Sequence, residues 1–328
     1  MTWIIWRQQR PALISLAVAL LAGVAAILLL RAGMSADIAA KGLGACVADG
    51  LTPGTACGGT AVGEFRDIWF DRLKIAQILV LALPALIGVF IGAPLFAREF
   101  EQGTHVLAFT QSVSRARWMA SKVLVTAVPA LFVLIVLQVL VGGWLDAAGG
   151  LGPLTSGPFA YNNFGSSGIA PFTYTVFAYT LGMFIGALSR RTLMAMTLSL
   201  GAFVVLRFVL SGLQPLLLTP DRLVAADPTQ TAVPAKSGAL VVDSGHLDAA
   251  GNVVPNSFSR ITGCGARGDE VAPTDLATCY RERGLAKAYA DVIPADAAGS
   301  LHLLEGSIFL GLAVLFVLGA VWAVRRQV

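Results

Sequence analysis

Six long apolar runs constrain what this chain can fold into: Ala12–Leu30, Ile75–Phe96, Val123–Leu145, Phe172–Leu188, Thr192–Leu218 and Leu303–Val324. At about 1.5 Å of helical rise per residue, each is long enough to cross a hydrocarbon core of roughly 30 Å. Lipid offers no partner to a bare backbone amide, so each run must satisfy its own hydrogen bonds as an α-helix. A barrel strand would be shorter and alternating. Apolar residues make up 56% of the chain and charged residues 13%, against about 25% charged in an ordinary soluble domain. The runs therefore predict an all-α polytopic membrane protein with six transmembrane helices. The first run is read as a retained helix and not a signal peptide, because of its length and because no small-residue cleavage site follows it.

Lysine and arginine placement orients the helices. Arg7, Arg10, Arg98, Arg115, Arg117, Lys122, Arg190, Arg191, Arg325 and Arg326 all fall on one side, against only Glu99 and Glu101. The other side carries 12 basic and 17 acidic residues in much longer segments. The basic side is expected to be cytoplasmic, with both termini there and loops 31–74, 146–171 and 219–302 extracytoplasmic. The net charge of +4 is then a topology signal and implies no nucleic-acid partner.

All four cysteines, Cys46, Cys57, Cys264 and Cys279, fall in the outer segments, where an oxidising compartment favours disulfides. Four cysteines allow three pairings. The simplest joins neighbours, Cys46–Cys57 and Cys264–Cys279. A zinc site would need closer spacing and histidine, and the histidines His105, His246 and His302 are scattered, so no metal is expected. Neither a G-x-x-x-x-G-K-[ST] phosphate loop nor an H-E-x-x-H or G-x-S-x-G motif occurs. The cytoplasmic pieces are too small for a catalytic domain, so the chain is expected to be no enzyme and to hold no cofactor.

The most elaborate cytoplasmic piece is residues 97–122, within FAREFEQGTHVLAFTQSVSRARWMASK. A connector between helices needs only a few residues. Phe96 and Phe100 share a helical face, Glu99, Glu101, Gln102 and Gln111 supply polar groups, and Gly103 permits a bend. Ser112 or Ser114 can cap the next helix. On pattern alone this is an amphipathic helix, a bend and a re-entry, compatible with a helix lying on the lipid surface.

The E-x-x-x-G-T and T-Q-S-V-S-R-x-R-W…K runs of that piece resemble the signature segment of ABC-2-type permeases, the membrane subunits of ABC exporters, and particularly an actinobacterial group of them. WRQQR near the N-terminus, GNVV-x-N, CYRERGLAKAYADV and the final EGSIFLGLAVLFVLGAVWAVRR continue the resemblance across nearly the whole chain. It implies that residues 97–122 form a coupling segment that docks on a separate ATPase, with Glu99, Glu101, Gly103, Thr104, His105, Phe109, Gln111, Arg115 and Arg117 as contact residues. It also implies an interfacial elbow helix over residues 1–10, and ATP with magnesium bound by the partner.

Residues 219–302, rich in Pro, Gly and Asp, read as a small α+β extracytoplasmic domain. Gly238–Val242 and Asn252–Val254 suggest a hairpin, and Thr274–Asp291 reads as more helical. Trp69 and Phe70 suit the headgroup boundary before the second helix. Gly88-x-x-x-Gly92 and Gly182-x-x-x-Gly186 allow close helix approach, and Pro84, Pro94 and Pro129 are expected to bend their helices. Arg207 reads as the one clear intramembrane charge, open to two roles: snorkelling to the outer headgroups, or an inward-facing substrate or salt-bridge role. Residues 1–218 thus hold five helices and residues 303–328 the sixth.

The resemblance implies a permease subunit that, with a second permease copy and two ATPases in a bacterial plasma membrane, exports a hydrophobic or amphipathic substrate. The alternative is a membrane sensor or assembly protein whose outer domain binds a partner.

Overall fold

The computed structural model describes residues 2–49, 56–103, 115–234, 237–262, 264 and 273–326. Its helices are α1 (Thr2–Ala40), α2 (Gly44–Asp49), α3 (Thr60–Ile87), α4 (Pro94–Glu101), α5 (Arg115–Ala148), α6 (Tyr161–Ser166), α7 (Ala170–Ser189), α8 (Thr192–Leu213), α9 (Ser257–Arg260), α10 (Pro273–Glu282) and α11 (Ala298–Arg325). The strands β1 (Asp221–Ala225), β2 (Leu240–Leu247) and β3 (Lys287–Ile293) form one sheet. Among the described residues, six helical stretches are long and apolar enough to cross a membrane: Gln9–Ala40, Thr60–Glu101, Ala116–Leu151, Ala170–Ser189, Thr192–Leu216 and Ala295–Arg325. Each overlaps one of the six predicted runs, and the first two, Gln9–Ala40 and Thr60–Glu101, extend well beyond Ala12–Leu30 and Ile75–Phe96. Leu29, Leu193, Phe208 and Leu315 project from their outer faces, each more than half exposed, as lipid-facing side chains would be.

The chain divides into two compact units. The first comprises Met1–Thr155, Ala160–Gly212 and His302–Val328, and the second Ser156–Phe159 and Leu213–Leu301. In the first, α1 packs along α5 through Ile27, Met34, Leu137 and Val141, and α3 adds Phe65, Trp69 and Leu73. Trp69 is no headgroup anchor: it is buried, and its Nε1 donates to Asp37 Oδ2 of α1 at 2.9 Å. Residues 2–10 do not form a separate elbow either. The helix runs unbroken through Pro11, and no glycine precedes Gly23 to release it. Cys46 and Cys57 are joined by a disulfide with Cα atoms 5.4 Å apart, closing the short α2 region.

The two glycine pairs form one interface. α3 continues into α4 through a π-helical turn, Gly88–Gly92, flanked by Pro84 and Pro94. Proline removes a backbone donor, and the widened turn lies between the two disturbed positions. Against this turn packs α7. A Cβ on Gly182 would sit 2.4 Å from the Gly88 carbonyl oxygen, and one on Gly186 only 2.3 Å from that of Ala93. Backbone thus touches backbone, and no side chain fits. Gly182→Ala is expected to cost about 1–3 kcal/mol through overpacking, read as a lower thermal unfolding midpoint of the detergent-purified chain. Gly201→Ala, where a Cβ meets nothing within 4 Å, should leave the midpoint in place.

The second unit is built on the antiparallel sheet in the order β1-β3-β2. The expected hairpin is present only at its tip, where the Asp248 N–H donates to the Asn252 carbonyl and the Val254 N–H to that of His246, each at 2.9 Å. The body of β2 pairs with β3 instead. The helical reading of Thr274–Asp291 fails in its second half, because α10 ends at Glu282 and Lys287–Ile293 is the central strand. Gly284 at φ +79° supplies the left-handed residue that stops the helix. Beyond it, the alanines of KAYADVI follow their neighbours in the sheet and not their own helical propensity. A disulfide joins Cys264 to Cys279 across 15 residues, a closure that contributes about 3 kcal/mol in the chain-entropy account.

Three carboxyls of this unit are held below the usual carboxylate range. The Thr229 backbone N–H does this at Asp227, the Asn252 backbone N–H at Asp248, and the Arg222 guanidinium at Asp291. Depressed folded values mean that their stabilisation is complete above the unfolded value of about 3.9 and is lost as pH falls through the folded values. Amide exchange in β1 and β3, corrected for intrinsic rate, should therefore accelerate below about pH 4, with no comparable change between neutral pH and pH 5.

Candidate functional site

The described parts of residues 97–122 are α4, the bend after it and the start of α5. Leu95, Phe96, Ala97 and Phe100 are buried, and the Phe96 ring lies 5.7 Å from Trp118 of α5. The apolar face of this amphipathic helix therefore packs on protein. Its two acids are engaged as well. Glu99 forms an ion pair with the fully buried Lys122 of α5, whose ammonium also sits 4.6 Å over the Trp118 ring. Glu101 Oε2 accepts from the backbone N–H of Thr192 at 2.9 Å and from its hydroxyl at 2.7 Å, serving the free amides at the start of α8. Gly103 follows at φ +68° with no described residue within 4 Å of where a Cβ would sit, the left-handed bend that glycine was expected to supply. Arg117 is exposed at the start of α5. Thr104, His105, Phe109, Gln111 and the side chain of Arg115 lie outside the described residues. The structure thus ties Glu99 and Glu101 to two different membrane-crossing helices, which the sequence alone did not show.

A second polar centre lies where three helices meet. Arg207 is only 6% exposed, so it does not snorkel. Its guanidinium carbon lies 3.7 Å above the Tyr174 ring of α7, and its Nη1 is 3.4 Å from Glu305 Oε1 of α11. The same oxygen accepts from the Tyr174 hydroxyl at 2.8 Å. Gly165 of α6 makes room, since a Cβ there would fall 2.6 Å from the guanidinium. Arg207 is therefore not the one intramembrane charge: Glu305, which the sequence reading assigned to the outer side, enters the protein as its partner. The signal was present in the predicted run itself, since Leu303–Val324 contains that acid. Nearby, Gln77 of α3 donates to Asn163 at 2.7 Å, and Asn163 to the Pro153 carbonyl at 3.2 Å. Among the described residues, no three His, Cys, Asp or Glu side chains gather as metal ligands.

Comparison with known families decides the class. The model of a family described as ABC-2 membrane transporter related matches residues 17–214, well over half of the chain. The chain belongs to this family. No curated protein and no solved structure matches it. The ABC-2 match includes α4, its bend, α5, α7 and Arg207, and stops before the sheet of the second unit and before Glu305. The acid that completes the buried ion pair thus comes from beyond the matched region.

Removing one member of a buried pair strands the other in an apolar setting, at a cost of about 3–5 kcal/mol. Glu305→Ala and Arg207→Ala should each lower the thermal unfolding midpoint sharply. The double variant should cost much less than the two losses added, a coupling that a double-mutant cycle in detergent would measure.

Proposed function

We propose that this ABC-2 family member is the permease subunit of an ABC exporter, acting with a second permease copy and two ATPase subunits in a bacterial plasma membrane. The observation that carries the reading is the family match across α4, the Gly103 bend and α5. The helix-end arginines, Arg10, Arg98, Arg117, Arg190 and Arg325 among them, support an orientation with both termini and this segment in the cytoplasm. The second unit and the Cys46–Cys57 loop are then extracytoplasmic, where disulfides persist. ATP and magnesium belong to the partner, and the cargo is hydrophobic or amphipathic.

Movement needs contacts that differ between two states, and α4 supplies a route for it. A push on the bend reaches α8 through Glu101–Thr192 and α5 through Glu99–Lys122. The docking surface then lies on the exposed side of Glu101 and Gly103 and in the residues that follow, while the apolar side of α4 remains buried in the permease.

Glu101→Lys removes the acceptor for Thr192, and Gly103→Val places a branched residue at positive φ, at a cost of roughly 1–2 kcal/mol. Both variants should insert normally, yet lose co-purification with the partner ATPase or uncouple its hydrolysis from export in vesicles. Glu282→Lys, at an exposed position ending α10, should change neither. Normal docking and export by both cytoplasmic variants would overturn the assignment and leave α4 as a structural helix. Absence of any associated ATPase would favour the sensor reading.

A further inference from the structure

Between α5, α7 and α11 lies a cavity of about 820 Å³, reached at one end by Ala116, Met119 and Ala120 of segment 97–122 and apart from the buried ion pairs. Met119, Val123, Ala127, Val176, Val317 and Val321 line it. Its few hydroxyls are already satisfied within the protein. Thr175 donates to the Pro171 carbonyl at 2.7 Å, Thr180 to that of Val176 at 2.9 Å, and Tyr179 and Thr126 share a 2.7 Å bond. The interior therefore asks nothing polar of an occupant, and a chain of methylenes is the chemistry that fits it. Along α5 the lining runs from Ala116 to Leu131, about 22 Å at 1.5 Å per residue. The hydrocarbon of one leaflet is roughly 15 Å deep, half of a bilayer core. One end is charged: Arg325 lines the cavity where α11 terminates, and Arg326 follows, stacked 4.3 Å over Trp322.

We propose that this cavity holds one acyl chain of an anionic membrane lipid, with the acidic headgroup against Arg325. Length, lining and charge each point to that occupant. The lining, about 22 Å along α5, is long enough to take a whole acyl chain from the level where crossing helices end, since one leaflet's hydrocarbon is roughly 15 Å deep. Its walls are mostly apolar, and their hydroxyls are bonded within the protein. The cation stands at the headgroup end, where a basic residue near an anionic surface gains about 1 kcal/mol. Lipid held here would wedge α5 from α11 beside the segment that carries Lys122. The inference stands whether or not the chain pairs with an ATPase, since binding is read on the chain alone.

The experiment uses the full chain in phosphatidylcholine nanodiscs doped with a lipid whose tail carries a photoreactive diazirine, with either a phosphatidylglycerol or a phosphatidylcholine headgroup. Peptide mapping should place adducts on the stretches holding Met119–Ala127 and Val317–Val324, with the anionic probe favoured about fivefold. Arg325→Gln, at the end of a helix and free of packing demands, should bring that preference close to one. Ala127→Trp, checked for a monodisperse elution profile, should deplete adducts from both stretches with either headgroup. Adducts spread over outward faces such as Leu193 and Leu315, or a preference untouched by Arg325→Gln, would overturn the proposal. So would efficient crosslinking of Ala120→Cys to a second copy, which would make the cavity an interface between chains.

Discussion

A segment that crosses hydrocarbon must close its own backbone hydrogen bonds, and this requirement leaves only side chains and close backbone contact to hold one helix to the next. Hydrophobic attraction cannot select partners among helices surrounded by equally apolar lipid. Selection here falls to two devices. One is the glycine interface, where Gly182 and Gly186 of α7 let backbone meet the π-helical turn after α3. The other is a small set of buried polar ties: Glu99–Lys122, Arg207–Glu305 with Tyr174, and Gln77–Asn163. Each tie joins different elements, Arg207–Glu305 and Gln77–Asn163 across long stretches of sequence, and each would be costly to leave half-made.

These ties also determine what can move together. α4 is short, yet its two acids grip α5 and the first turn of α8, and its phenylalanines pack on Trp118. A partner pressing on the Gly103 bend would act on two crossing helices through paired charges and capped amides, with no loose linker between. The apolar face of α4 is consumed by this packing, so the lipid-surface role that its amphipathic pattern also allowed has no face left to use. Arg207 and Glu305 perform a comparable service for α7, α8 and α11, at a point where Gly165 leaves room for the guanidinium.

The second unit follows different physics. Its sheet is small and its strands carry many polar residues, so a disulfide and short-range carboxylate bonds take on work that a larger core would do. Arg222 with Asp291, and Asp227 with Thr229, lie in or near the ladder. β3 is central only because β1 and β2, roughly 65 and 45 residues earlier in the chain, find it.

The sequence alone determined what depends on local composition. Apolar run length gave the six crossing helices, positive φ demanded a glycine at the bend, and four cysteines in outer segments pointed to neighbour pairing. It also carried the resemblance to ABC-2-type permeases, which the family match bears out over residues 17–214. The tertiary structure decided what depends on partners. No periodicity in Lys287–Ile293 outweighs its alanines until two flanking strands offer hydrogen bonds. No feature local to Arg207 distinguishes snorkelling from burial until Glu305, 98 residues on, arrives beside it. Glu99 and Glu101 read as surface charges because the residues that claim them, Lys122 and Thr192, belong to other helices. Length and charge are properties of a segment. A buried charge, a central strand and a cap belong to pairs of segments, and only folding brings those pairs together.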